Sequence, residues 1–253
     1  MKKLDWQTDK FITFENLPIP CCSDLYAKRL PSLIRKDRGI KRAVKKCLWP
    51  ILDRRNLLLC NGFIYRIIGK WIRKYCNSET VFLDIGCGNM KFKKYLPKGC
   101  VYNAFDVSLS EYHLSRMQPD CNIAIASAAD IPLADNSVDV MVSSEVLEHI
   151  RGLDQAVDEI YRIARPSAMF FCSIPNNYCK KYAAKGQHPD HVNKFSFMEF
   201  ERYMKAHGFK TLQSFMMGYW LPICFLKSSY QLPLTSGNEY YNTNFFYMFE
   251  VIK

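Results

Sequence analysis

The stretch VFLDIGCGNMKF, residues 81 to 92, decides the fold class. An apolar run broken only by Asp84 ends in Gly86 and Gly88, which reads as a short buried strand closing in a tight turn. Glycine at both positions lets the backbone pass close to a ligand, and the chain that follows offers unpaired N–H groups. A dinucleotide turn would carry a third glycine three positions on. Lys91 and Phe92 stand there instead, so the pyrophosphate fingerprint is incomplete.

Outward from this turn the chain alternates strand and helix patterns. VYNAFDV (101–107), NIAIASA (122–128), VDVMVSS (138–144) and AMFFCSI (168–174) are further short apolar runs, and Leu153 to Ala164 has helical spacing. FSFMEFERYMKAHGF reads as a helix closed by Gly208, followed by a strand around Lys210 to Met216; NFFYMFEVIK alternates as a last strand. Upstream, Phe63, Ile64, Ile67, Ile68, Trp71 and Ile72 give Phe63 to Tyr75 a helical face. Together these predict an α/β, doubly wound fold whose mostly parallel sheet is covered on both faces, with the ligand at the carboxyl ends of the strands. The pattern divides the chain into an N-terminal extension, partly helical, over 1–75 and an α/β domain over 76–253. The domain carries an aromatic insert near 219–244 with Tyr219, Trp220, Phe225, Tyr230, Tyr240 and Tyr241.

A chain of 253 residues can bury a substantial core. Its 11 cysteines show no paired C-x-x-C spacing and several sit inside apolar runs, which predicts buried thiols in a reducing compartment. The start, MKKLDWQTDKF, lacks the apolar core of a secretory signal, and Phe215 to Leu226 is too short and too proline-broken to span a bilayer, so a cytoplasmic location is expected. The net charge of +11 is uneven: 11 basic residues against 2 acids lie between Lys28 and Arg55. Ile40, Val44 and Leu48 give that segment a helical apolar side. A basic amphipathic helix either rests on an anionic membrane, contacts phosphates, or is a solvated face.

SSEVLEHI, residues 143 to 150, places two glutamates and a histidine just past a buried strand. If the chain turns helical there, Glu145, Glu148 and His149 share one face. Such a trio grips a cation, moves a proton, or caps a helix.

Four pieces in order, LDIGCG (83–88), AFDVS (104–108), ADIPLADNSVDVMVSSEVLEHI (129–150) and HGF (207–209), give residues 80–209 a resemblance to the class I S-adenosylmethionine-dependent methyltransferases. The resemblance implies a seven-stranded, Rossmann-like sheet. It also implies that Asp84, Gly86 and Gly88 line the methionine part of S-adenosylmethionine and that Asp106 accepts hydrogen bonds from the ribose hydroxyls. Glu145 is expected to border the cofactor. Ser127 stands where relatives often carry an acid for the adenine amino group, so Ser127 and the backbone at Ala128 are expected to take that part. Asp130 is expected to cap the turn into IPLADNS.

The E-x-x-E-H arrangement is similar to that of the ubiquinone O-methyltransferases and of the enzymes that methylate the terminal ribose 2′-hydroxyl of small RNAs. In the latter branch these three side chains and a distant histidine hold magnesium. His191, with Lys194 and Phe195, matches the H-x-x-K-F stretch of the ubiquinone branch, whereas His188 belongs to no matched motif. The resemblance therefore makes Glu145, Glu148, His149 and His191 a candidate set for a divalent cation such as Mg, and Glu148, His149 and His191 the candidate catalytic groups. A metal-free base at His149 and a purely structural role stay open. The expected function is O-methylation of a hydroxyl on a small molecule, a quinol precursor or a lipid-linked glycan, with peripheral contact to an anionic membrane. RNA ribose methylation and a non-catalytic cofactor-binding protein are the alternatives; nucleic acid is the less favoured partner.

Overall fold

The computed structural model describes residues 3–7, 11–13, 62–108, 120–223 and 228–253. The basic segment 28–55 and five of the cysteines lie outside these residues. Among the described residues one sheet holds nine strands: β1 (Phe11–Thr13), β2 (Phe82–Ile85), β3 (Tyr102–Asp106), β4 (Cys121–Ile125), β5 (Val138–Ser144), β6 (Ala164–Pro175), β7 (Phe209–Ile223), β8 (Ser228–Leu232) and β9 (Asn242–Val251), in the order β1-β4-β3-β2-β5-β6-β9-β7-β8. The seven inner strands, β4 through β7 in that order, are the expected mostly parallel sheet, with only β9 running against its neighbours. β1 and β8 extend it by an antiparallel strand at each edge.

The inner strands are apolar on both sides because helices cover both faces. In β2, Leu83 and Ile85 face the layer built by α2 (Leu153–Ile163) and α3 (Phe197–Ala206), while Phe82 faces α1 (Gly62–Tyr75). Ser196 starts α3 with a reciprocal cap: its hydroxyl accepts from Glu199 N, and the Glu199 carboxylate accepts from Ser196 N. Gly208 ends the turn after α3 at φ +86, where a side chain would also strike Tyr161, so this helix stops where the sequence predicts.

The expected aromatic insert is instead a hairpin of the sheet. β7 continues past Met216 to Ile223, and β8 returns along it from Ser228. Pro222 is tolerated inside β7 because the pairing with β9 ends at Tyr219, leaving that side without a ladder to break. Trp220 is buried, as sheet-edge packing requires; Phe225 and the side chain of Tyr230 lie outside the described residues. The six described cysteines are all free and buried, and no described helix is long and apolar enough to cross a membrane.

Part of the N-terminal extension belongs to the core. Leu4 and Trp6 are buried against the α2 face of the sheet. Their backbone and ring groups are met by two strand asparagines: Leu4 N donates to Asn103 Oδ1 at 2.9 Å, Asn122 Nδ2 donates to Leu4 O at 2.9 Å, and Trp6 Nε1 donates to Asn122 Oδ1 at 3.1 Å. Gln7 N then donates to Pro132 O, tying this strap to the loop 126–137.

That loop has no helix of its own, and a charged clasp holds it. Arg162, in the last turn of α2, donates to Ile131 O, Leu133 O and Asp135 Oδ1 and forks onto both oxygens of Glu159, while Ile131 N donates to Glu159 Oε2. The guanidinium holds the Glu159 carboxyl below its usual range. A carboxylate depressed in this way contributes stability above its ordinary titration range, and the contribution disappears as pH falls through the lowered folded value. Arg162→Met is therefore expected to lose about 2 kcal/mol in urea unfolding at neutral pH, discounted for partial exposure, with the gap to the parent narrowing as pH falls toward the acid range. An unchanged gap across that range would remove the clasp.

Candidate functional site

The strand order reverses between β2 and β5, and the residues at the carboxyl ends of these two strands surround one crevice. At the tip of β2 the turn is held by Gly86 N and Cys87 N, which donate to Phe105 O at 2.9 and 3.0 Å, and by Gly88 N, which donates to Asp106 Oδ2 at 2.9 Å. The glycine turn and the acid ending β3 are thus brought together as the sequence predicts. Gly86 has φ +67, and a Cβ on it would lie 2.5 Å from the Val146 side chain, so glycine is required both by conformation and by the neighbouring strand tip. Asp84 lies beneath the turn and accepts a very short hydrogen bond from the Tyr102 hydroxyl. Burial pushes its carboxyl up to about 7, against the Tyr102 bond and with help from Asp106.

Ser127 is exposed and Ala128 buried beyond the end of β4. The Ser127 hydroxyl accepts from Ala129 N at 3.2 Å, and Asp130 N donates to Ser127 O at 3.1 Å. The turn is therefore closed by the serine side chain, where the aspartate side chain was expected to cap it.

The E-V-L-E-H segment does not form one helical face. Glu145 is a left-handed residue at φ 58, and only Leu147–His149 turn, as a single 3₁₀ turn. Glu145 stands beside its expected companions but turns its carboxylate to other partners: Ser173 Oγ and Asn244 Nδ2 each donate to it at 3.0 Å. Burial pushes the Glu145 carboxyl up to about 7 although these two bonds and Lys181 oppose the shift. Glu148 is buried, its Oε2 has no hydrogen-bond partner among the described residues, and burial followed by the nearby Glu145 charge raises its carboxyl well above the usual range. Ligand atoms of Glu148, His149 and His191 lie within 4.8 Å of one another. The structure thus groups three of the four expected ligands, with Glu145 standing beside them.

The histidines arrive already oriented. His149 Nδ1 lies 2.9 Å from Asp190 O, and His191 Nδ1 lies 2.7 Å from Asn177 Oδ1. Both partners only accept, so each Nδ1 carries the proton and each Nε2 presents a lone pair. Burial, then His149 and His188, push His191 down to about 4, which keeps it neutral. His188 stacks on His191 at 4.6 Å, but its Nδ1 accepts from Asp190 N, so its remaining nitrogen is a donor. The segment carrying His191 is stapled to the turn by Val192 N and Asn193 N, which donate to Glu148 O, and by Asn193 Nδ2, which donates to Leu147 O and Ile150 O.

Several of these groups carry no sequence signal. Asn177, Asn193, Ser173 and Asn244 are single polar residues whose partners lie far along the chain. Tyr65 on α1 rests edge-on to Phe92 at 5.5 Å, and its phenol is raised by burial and then by the charges of Glu145 and Asp84.

Residues 83–172 match the family model described as a methyltransferase domain. A probable S-adenosylmethionine-dependent methyltransferase of Mycolicibacterium smegmatis (strain ATCC 700084 / mc(2)155) is 30% identical over 99 residues, 39% of this chain and 38% of that protein. The mitochondrial arginine-hydroxylase NDUFAF5 of Mus musculus is 30% identical over 92 residues, 35% of this chain and 26% of that one. The chain thus spans well under half the length of these curated relatives. A crystal structure of a SAM-dependent methyltransferase from Aquifex aeolicus superposes with a TM-score of 0.56 at 14% identity, over 85% of this chain and 100% of that one. The glycine turn, the acid ending β3 and the strand order all fall within or beside residues 83–172, the part of the chain that is similar to a methyltransferase domain and to a probable S-adenosylmethionine-dependent methyltransferase.

Proposed function

We propose that this protein is an S-adenosylmethionine-dependent methyltransferase acting on a hydroxyl group of a small molecule, a quinol precursor or a lipid-linked glycan. The observation that carries the reading is the trio of buried Glu148, exposed His149 and buried His191 beyond the tip of β5, next to the glycine turn that Val146 packs against. Asp106 would take the ribose hydroxyls, Gly86 and Gly88 would admit the methionine portion, and the rim at Ser127 and Ala128 would border the adenine. Transfer of a methyl group from sulfur is an in-line displacement that needs alignment and a dry site. A hydroxyl acceptor must also lose its proton, and the Nε2 lone pair of His149, held by its Nδ1–H bond to Asp190 O, is placed to receive it.

The same three side chains fit a divalent cation. One unpaired buried carboxylate oxygen and two Nε2 lone pairs form a mixed oxygen and nitrogen set suited to Mg, Mn, Fe or Zn. When bound, the cation would lower the pKa of the acceptor hydroxyl. The basic segment 28–55 would hold the enzyme at an anionic membrane surface from the cytoplasmic side.

Titration calorimetry with S-adenosylhomocysteine tests the cofactor crevice: Asp106→Ala is expected to weaken binding at least tenfold, and Gly86→Ala to weaken it through the Val146 collision. No binding by the parent protein ends the reading. A tritiated-methyl assay over lipid, glycan and RNA fractions then identifies the acceptor. Glu148→Ala and His149→Ala are expected to lose about a hundredfold or more of that transfer while still binding the homocysteine product. Manganese titrated into the parent should release protons and bind more tightly as pH rises, because Glu148 must give up the proton that burial otherwise keeps on it. Full transfer in chelator removes the cation and leaves His149 as the base.

A further inference from the structure

Asp84 is an acid on an otherwise apolar face. It shares the α1 side of the sheet with Phe82 of its own strand and with Tyr102 and Ala104 of β3, all three fully buried. On the β5 side its neighbour in register is Val142. Among the described residues only the Tyr102 hydroxyl donates to this carboxylate, and it takes Oδ2. Tyr102 stands two positions before Ala104, the residue opposite Asp84, so the hydroxyl arrives from the interior of the sheet, the side away from the glycine turn. Its ring is held there by stacking on Phe82 at 6.1 Å. Oδ1 meets no donor among the described residues.

A carboxylate this deep is ordinarily matched by a cation or by several donors. The other titratable groups about the Asp84 and Tyr102 pair are Asp106 at the end of β3, Cys87 in the turn, Cys121 on β4 and Tyr65 on α1, none of which becomes a cation. The counter-charge is one that a ligand entering over the turn can bring.

We propose, resting on the methyltransferase reading, that Tyr102 is a positioning residue of the cofactor site: it holds Asp84 by Oδ2 and thereby leaves Oδ1 for the ammonium of the cofactor's methionine portion. The phenol acts through the carboxylate and does not itself touch the cofactor. By donating, it favours the ionised acid and works against the burial that pushes the Asp84 carboxyl up to about 7. A cationic ligand favours the same form, so binding releases a proton while Asp84 is protonated, and affinity climbs as pH rises through that value.

Calorimetric titration of the full chain with S-adenosylhomocysteine between pH 5.5 and 7.5 tests this. The window lies below about 7.7–8.0, where an ordinary α-amino group gives up its proton. The parent is expected to bind about tenfold more tightly at the upper end than at the lower, with proton release at the lower. Tyr102→Phe removes the donor, so its rise in affinity is expected at higher pH by about half a unit or more, with binding about threefold or more weaker at neutral pH. Burial raises Cys87, Tyr65 and Tyr102 out of this window, whereas the Glu145 carboxyl also lies at about 7. Asp84→Asn separates the two acids: it is expected to flatten the profile, and adding Tyr102→Phe to it is expected to shift nothing further. 5′-Methylthioadenosine has the nucleoside and the sulfur but neither ammonium nor carboxylate. It is expected to bind the parent and Tyr102→Phe alike.

A Tyr102→Phe profile that superposes on the parent's overturns the proposal. Equal weakening of both ligands does so too, because a tyrosine that only packs the core would act on them alike. Should Tyr102→Phe not fold, Asp84→Asn decides: a flat profile upholds the proposal, and a rise with pH like the parent's overturns it. Failure of the parent to bind the homocysteine product sinks the methyltransferase reading, while binding with an unshifted profile sinks this inference alone.

Discussion

A side chain at position 86 would collide with Val146, and this one steric limit joins the two halves of the site. Gly86 ends β2 and Val146 follows β5, the adjacent strands between which the sheet changes direction. Because no atom beyond Cα stands at 86, the glycine turn settles directly onto the turn that carries Glu148 and His149. The glycine turn and the turn carrying Glu148 and His149 are therefore set side by side, with the Val146 side chain packed against Gly86. Position 86 is constrained twice, by its left-handed φ and by this contact, so even a residue that tolerates positive φ does not fit.

The electrostatics follow from how deep these groups lie. Asp84 and Glu148 are buried and Glu145 is half-buried, and each carboxyl is raised primarily by desolvation. Burying an unpaired carboxylate is costly, and the chain resolves the three cases differently. Asp84 takes a phenol on one oxygen, Glu145 takes a hydroxyl and an amide, and Glu148 keeps one oxygen with no partner among the described residues. Of the two glutamates, only the last leaves a coordination or proton position open. The distinction between Glu145 and Glu148 is thus one of satisfied against unsatisfied hydrogen-bonding capacity, and it falls between two residues of the same type three positions apart.

The parallel strands, the glycine turn, the acid ending β3 and the helix α3 were legible because each is written in a local pattern: an apolar run, a pair of glycines, a helical run closed by Gly208. The split of Glu145 from Glu148 was not, since it depends on a left-handed glutamate held by Ser173 and Asn244, and nothing near 145 in the sequence marks that conformation. The segment near 219–244 was read from its aromatics, and the hairpin β7–β8 within it depends on pairing that the sequence does not mark. The strap at Leu4 and Trp6 depends on Asn103 and Asn122, which look like ordinary polar interruptions of β3 and β4 until the segment that satisfies them is seen. For the glutamates and the strap the deciding partner lies tens of residues away.

One segment orients both imidazoles. Residues 176–193 are anchored at one end by Asn176 Nδ2, which donates to Glu239 O and Asn242 O, and at the other by Asn193 on the turn of Glu148. Between these anchors lie the Asn177 amide oxygen that accepts from His191, the Asp190 carbonyl that accepts from His149, and His191 itself. The ring of His149, on the turn after β5, is therefore held by a residue that the same segment brings in with His191, so the two imidazoles are positioned together.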